Sequence, residues 1–98
     1  MSYSVKIEPI ALQDVQQAVD YYDDKLAGLG EKFEAELNEH IIFLETNPHF
    51  QVRYKKVHCL PLRKYPYMIH YTIDEENKLV TVRGVFHTSR NPELWTER

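Results

Sequence analysis

The stretch LRKYPYMIHYTIDEENKLVTVRGVF, residues 62–86, decides the fold. Two runs rich in β-branched and aromatic residues, 67–73 and 79–86, flank the acidic, Asn-containing segment EENK. That is the pattern of two antiparallel strands joined by a short turn. Successive side chains of a strand alternate in direction. Tyr67, Ile69, Tyr71 and Ile73 therefore share one face of the first strand, and Met68, His70 and Thr72 share the other. In the second, Val80, Val82, Gly84 and Phe86 are set against Leu79, Thr81, Arg83, Val85 and His87. Residues 57–63 read as a preceding strand in which Pro61 implies an edge position or a bulge. Tyr65-Pro66 makes the tight connection, and the basic segment from His49 onward runs from a loop into a strand near Lys55.

Working back towards the N-terminus, the period changes. Tyr3, Val5 and Ile7 alternate with Ser4, Lys6 and Glu8, a half-buried strand that Pro9 stops. Leu12, Val15, Val19, Tyr22 and Leu26 then recur at steps of three and four, an amphipathic helix with Gln13, Asp14, Gln16, Gln17, Asp20 and Asp24 on its polar side. Gly28 and Gly30 interrupt it, both free to adopt positive φ. Phe33, Leu37, Ile41 and Leu44 form the stripe of a second helix. Glu31, Glu34, Glu36 and Glu39 load its first half, where acids suit the positive end of the helix dipole and read as a solvated face. Asn47-Pro48 ends it. The predicted order is β-α-α-β-β-β: one α+β domain over residues 1–98, a helical hairpin packed on a mostly antiparallel sheet.

With 43% hydrophobic and 28% charged residues, the 98-residue chain has the composition of a soluble globular domain. No apolar run approaches the ~20 residues of a membrane span, and the N-terminus reads as a strand rather than a signal peptide, so a cytoplasmic protein without membrane association is expected. The single cysteine, Cys59, excludes an internal disulfide. The net charge of −3 conceals an asymmetry. Residues 1–48 hold three basic against ten acidic residues, a balance of −7; residues 49–98 hold nine against five, a balance of +4. A basic sheet region backed by an acidic helical layer follows, suited to an anionic partner.

His40, His49, His58, His70, His87 and Cys59 show no paired ligand spacing, so neither a metal nor a cofactor is expected, although His70 and His87 can face one another across neighbouring strands. Three glycines build no dinucleotide fingerprint. What remains is the basic and aromatic set of the C-terminal half: Arg53, Lys55, Lys56, Arg63, Lys64, Arg83, Arg90 and Trp95, the candidate contacts to a target or nucleic acid, together with His87. Metal-free RNA cleavage needs a base, an acid and a cation on the phosphate. Arg83 and His87, four residues apart in one strand, fall on one face and supply two of these.

Four segments, AVDYYDDKLAGLGEKFEAEL (18–37), LETNPHF (44–50), VHCLPLRKYPYMIHY (57–71) and VRGVFHTSRNPELW (82–95), together resemble the RelE/ParE superfamily of toxins from bacterial type II toxin–antitoxin systems. The resemblance is to the ParE-like, plasmid-stabilisation branch. It implies the fold derived above, an antitoxin encoded beside the toxin, a toxin–antitoxin hetero-oligomer, and one of two activities. RelE-like members cut messenger RNA in the ribosome, whereas ParE-like members poison DNA gyrase. Residue by residue, the RNA-cutting pattern transfers poorly. Cys59 and Pro61 stand where that branch places two lysines, Met68 where it places an arginine, and Trp95 matches its C-terminal aromatic without a phenol. Arg90 alone survives as a phosphate-binding candidate.

The resemblance thus implies a toxin that binds a protein target such as gyrase rather than an enzyme. The alternatives are a ribosome-dependent endoribonuclease using Arg63, Arg83, His87 and Arg90, and a non-toxic member that only binds an antitoxin. Tyr21, Ile42 and Phe43 fall off the core stripes and are the expected antitoxin-docking residues, across the helical hairpin and the sheet margin.

Overall fold

The computed structural model describes residues 2–49, 52–54 and 56–88, with side chains throughout except at 52–54. Its elements are β1 (Ser4–Ile7), α1 (Pro9–Lys25), α2 (Leu29–Thr46), β2 (Val52–Tyr54), β3 (Val57–Pro61), β4 (Tyr67–Asp74) and β5 (Leu79–His87). They form a five-stranded mixed sheet, order β1-β5-β4-β3-β2, under two helices. β1 runs parallel to β5 and every other pair is antiparallel. The expected β-α-α-β-β-β fold is present, with the basic segment folded back as a short extra strand, β2, against β3.

The β4–β5 turn is built by Asp74. Its carboxylate accepts the Asn77 backbone N–H at 3.1 Å and the Asn77 side-chain amide at 2.8 Å. Those bonds, the side-chain one foremost, hold the Asp74 carboxyl below its usual range. Lys78 completes the turn at φ +52°.

The α1 stripe lies one step from where the leucines put it. Leu12 and Leu26 are exposed, whereas Ala11, Val15, Ala18 and Tyr22 are buried. Alanines lie against the sheet because they let the helix approach it closely. Asp14, assigned to the polar side, is also buried: Val85 donates its backbone N–H to Asp14 Oδ2 at 3.1 Å. A carboxylate on that stripe is stable only because it accepts such bonds.

The α2 stripe is as expected at Phe33, Leu37 and Leu44, all at most 2% exposed. Glu36, read as part of the solvated acidic face, is instead buried and bonds to backbone amides outside its helix. Between the helices only Gly28 takes positive φ, at +87°. Gly30 is required for another reason: a Cβ there would stand 2.6 Å from the Val19 carbonyl oxygen, and its N–H donates to Asp23 at 2.8 Å.

Tyr22, Phe33, Tyr65 and Tyr67 form the aromatic centre of the core, with ring centroids 5.1–5.3 Å apart for Tyr22–Phe33, Tyr22–Tyr65, Phe33–Tyr65 and Phe33–Tyr67. Burial, then the neighbouring tyrosines, pushes the Tyr22 phenol from 10.0 to about 12. Its folded pKa is raised, so its contribution to stability is complete below the unfolded value and is lost as pH rises towards the folded one. Urea unfolding is expected to weaken by about 1.4 kcal/mol per pH unit through that window, and Tyr22→Phe to remove this part of the decline.

β5 contains the main departure in the sheet. His70 pairs with Gly84 but Tyr71 with Val82, so Arg83 is the extra residue of a β-bulge. Beyond a bulge the faces exchange. Val80, Val82 and Val85 therefore lie in the helix-side core, while Phe86 joins Cys59 and Met68 in a second cluster. The simple alternation that set Val85 and Val82 on opposite faces is overturned.

Candidate functional site

The helices cover one face of the sheet, and Cys59, Met68 and Phe86, each only 2–3% exposed, cluster apart from them. His70 joins this cluster, its ring 4.8 Å from Phe86 and its Nδ1 3.5 Å from Cys59 Sγ. Cys59 and Met68, two of the three positions at which the resemblance to RNA-cutting toxins would call for cations, are thus packed into a small apolar core. Pro61 ends β3, paired with Met68.

The candidate cations are dispersed. Arg83 extends to Glu8 at the start of α1, with Nη1 2.8 Å from the carboxylate. His87 lies edge-on to Tyr67 at 5.2 Å. The bulge at Arg83 breaks the parity that would have placed these two on one face, so the clamp-and-acid pairing read from their spacing does not form. His70 and His87 do not face one another either: their cross-strand partners are Gly84 and Tyr67. Arg63 reaches Glu39 on α2 at 3.9 Å, both side chains well exposed. Lys56 and Lys64 are exposed. Arg53 lies in β2, but its side chain, with Lys55, Arg90 and Trp95, lies outside the described residues.

Glu36 connects α2 to the basic loop before β4. Its carboxylate accepts the backbone N–H of Arg63 at 3.0 Å and of Lys64 at 3.1 Å. The loop that presents both cations is therefore positioned by a buried acid. An acid three residues after Phe33 and one before Leu37 lies at the flank of the apolar stripe, and that placement was the available signal.

A second polar network joins three distant segments. Glu75 accepts the Tyr3 hydroxyl at 2.8 Å and pairs with His49, while Lys78 lies 4.0 Å from the same carboxylate. The His49 bond first, then that of Tyr3, holds Glu75 below its usual range. No local spacing announces this cluster, because its members come together only through the fold. Among the described residues no group of three or more His, Cys, Asp or Glu is arranged to hold a metal ion. No helix among them is long and apolar enough to cross a membrane.

The apolar residues off the stripes are exposed at 50% for Tyr21, 62% for Ile42 and 44% for Phe43. They do not make one patch. Tyr21 borders a cleft of about 100 Å³ with Asp14, Gln17, Ala18, Tyr67 and Val85. Phe43 lies in a larger groove of about 400 Å³ between α2 and β3, lined also by Glu39, His40, Leu60, Pro61 and Arg63.

Comparison with known proteins gives a consistent result. The family model of the ParE toxin of the type II toxin–antitoxin system parDE matches residues 5–92. A chain of the chromosomal ParDE system from P. aeruginosa superposes with a TM-score of 0.79 at 15% identity, covering 89% of this chain and 97% of that one. A mutant of the E. coli toxin RelE in the free state gives 0.73 at 18% identity, covering 99% and 94%. A chain of the intact E. coli RelBE toxin–antitoxin complex gives 0.68 at 18% identity, covering 90% and 99%. At these identities the structural likenesses establish the fold. No curated protein matches.

Proposed function

Since the chain belongs to the ParE toxin family of type II toxin–antitoxin systems, we propose that this toxin acts by binding a protein target, DNA gyrase, and is neutralised by a cognate antitoxin. The similar structures include toxin–antitoxin complexes, which supports the antitoxin as its partner. The same reading puts the chain in the cytoplasm with its target.

One observation carries the choice of target class. Where an RNA-cutting relative would aim cations at the scissile phosphate, this chain packs Cys59 and Met68 against Phe86, out of solvent. Each electrostatic stabiliser missing from a transition state commonly costs ~3 kcal/mol. Arg83, a cation that the RNA-cutting reading would use, is already engaged by Glu8. Such a surface favours recognition by shape and charge over bond cleavage.

Expressing the chain without its antitoxin is expected to arrest growth with DNA damage. Primer extension on translated messages should show no new cleavage. Cleavage by the wild type that disappears in Arg83→Ala or His87→Ala would replace this reading with a ribosome-dependent endoribonuclease. Harmless overexpression would instead mark a non-toxic antitoxin-binding member.

A further inference from the structure

We propose that the small cleft between α1 and the β4–β5 pair seats a guanidinium group, that of an arginine on the DNA-contacting surface of the protein target. This rests on the gyrase reading above and gives it a point of contact on the toxin.

Three kinds of group converge on the cleft. Asp14 lines it from α1, is only 7% exposed, and accepts the Val85 N–H at 3.1 Å through Oδ2. The phenols of Tyr21 and Tyr67 line it as well, and Gln17 adds an amide from the exposed side of α1. The two rings are held in place by neighbours. Tyr22 meets Tyr21 edge-on at 5.2 Å, and His87 meets Tyr67 edge-on at the same distance.

Size and chemistry select the occupant. Cofactors and drug-sized ligands fill pockets of ~300–1,000 Å³, whereas the 100 Å³ here holds one side-chain head group. An apolar head group would strip water from Asp14 and Gln17 without replacing its hydrogen bonds, and an acid would be repelled by Asp14. A guanidinium brings planar N–H donors to the carboxylate and the amide while its flat faces stack on phenol rings. Tyr21 already receives a cation within the chain: Lys25 Nζ stands over its ring, 4.9 Å from the centroid. The wider field agrees. Residues 1–48 carry a balance of −7, with Asp20, Asp23 and Asp24 further along α1, so a basic surface is drawn to this side. An enzyme that handles DNA presents arginines and lysines to the phosphates, and this acidic layer with its cleft complements them. A second copy of the chain is a poorer source, because its Arg63 and Arg83 are each held by a carboxylate of their own chain.

The test titrates the full chain into purified gyrase supercoiling a relaxed plasmid. Wild type is compared with Tyr21→Ala, Tyr21→Phe, Gln17→Arg and Lys25→Gln, all at exposed positions of α1. Tyr21→Ala is expected to raise the concentration for half inhibition about 10-fold, through loss of the ring beneath the cation. Gln17→Arg places the chain's own guanidinium at the cleft and should raise it about as much. Tyr21→Phe keeps the ring and should stay close to wild type. Lys25→Gln removes the resident cation from Tyr21 and should lower the concentration about 2-fold. Equal potency of wild type, Tyr21→Ala and Gln17→Arg overturns the proposal while leaving the gyrase reading intact. Absence of inhibition by the wild type overturns that reading and the proposal with it. Full potency of Tyr21→Ala together with weakened calorimetric binding of the purified antitoxin assigns the cleft to the antitoxin and also overturns the proposal.

Discussion

Phe33→Ala is expected to lower the free energy of unfolding by about 3–5 kcal/mol, the range for emptying the site of a buried phenylalanine. Phe33 is fully buried, and its ring lies between Tyr22 on α1 and the Tyr65–Tyr67 connection ahead of β4. Both the apolar area and the edge-on ring contacts, worth ~0.5–1.5 kcal/mol each, are lost together. Collapse around the void is limited, because the tyrosines that would fill it are held on different elements. Domains of this size have ~5–15 kcal/mol in total, so the variant should melt tens of degrees lower, at ~4–8 °C per kcal/mol. Phe33→Leu, which keeps most of the volume, should lose less than half as much. Urea denaturation followed by circular dichroism measures both; a Phe33→Ala midpoint equal to wild type would refute this description of the core.

The second large effect is expected from Glu36→Ala. A charged acceptor contributes ~1.5–3 kcal/mol per hydrogen bond, and Glu36 accepts two from the loop amides. Water reaches the loop once the carboxylate is gone, so the expected net loss is about 2–4 kcal/mol. Hydrogen exchange distinguishes this from general destabilisation. The Arg63 and Lys64 amides should lose protection in conditions where β4 and β5 keep theirs. Protection that persists at these two amides would show that the carboxylate does not fix the loop.

How far residues alone foretold this depended on whether a signal was local. The β4–β5 hairpin is legible because β-branched and aromatic alternation, Asp74 and Asn77 all lie within one short stretch. Its bulge is not, since Arg83-Gly84 looks like any strand pair until the partner strand supplies the register. That single residue undid the pairing of Arg83 with His87 and moved Val85 into the helix-side core. On α1, large leucines outweighed small alanines as a pattern, yet close packing on the sheet selected Ala11 and Ala18 and left Leu12 in solvent. Asp14 and Glu36 looked like surface acids because their partners are backbone amides at least 27 residues away. The α2–β3 groove was partly legible: Phe43 was marked as off-stripe, but its separation from Tyr21 needed the fold.

The action proposed for this toxin is inhibition of a protein machine by binding. Purified DNA gyrase, supercoiling a relaxed plasmid while the chain is titrated in, tests that most directly. Supercoiling is expected to fall to background at saturation and to return when the antitoxin is bound to the chain beforehand. Normal supercoiling at saturating chain would contradict it.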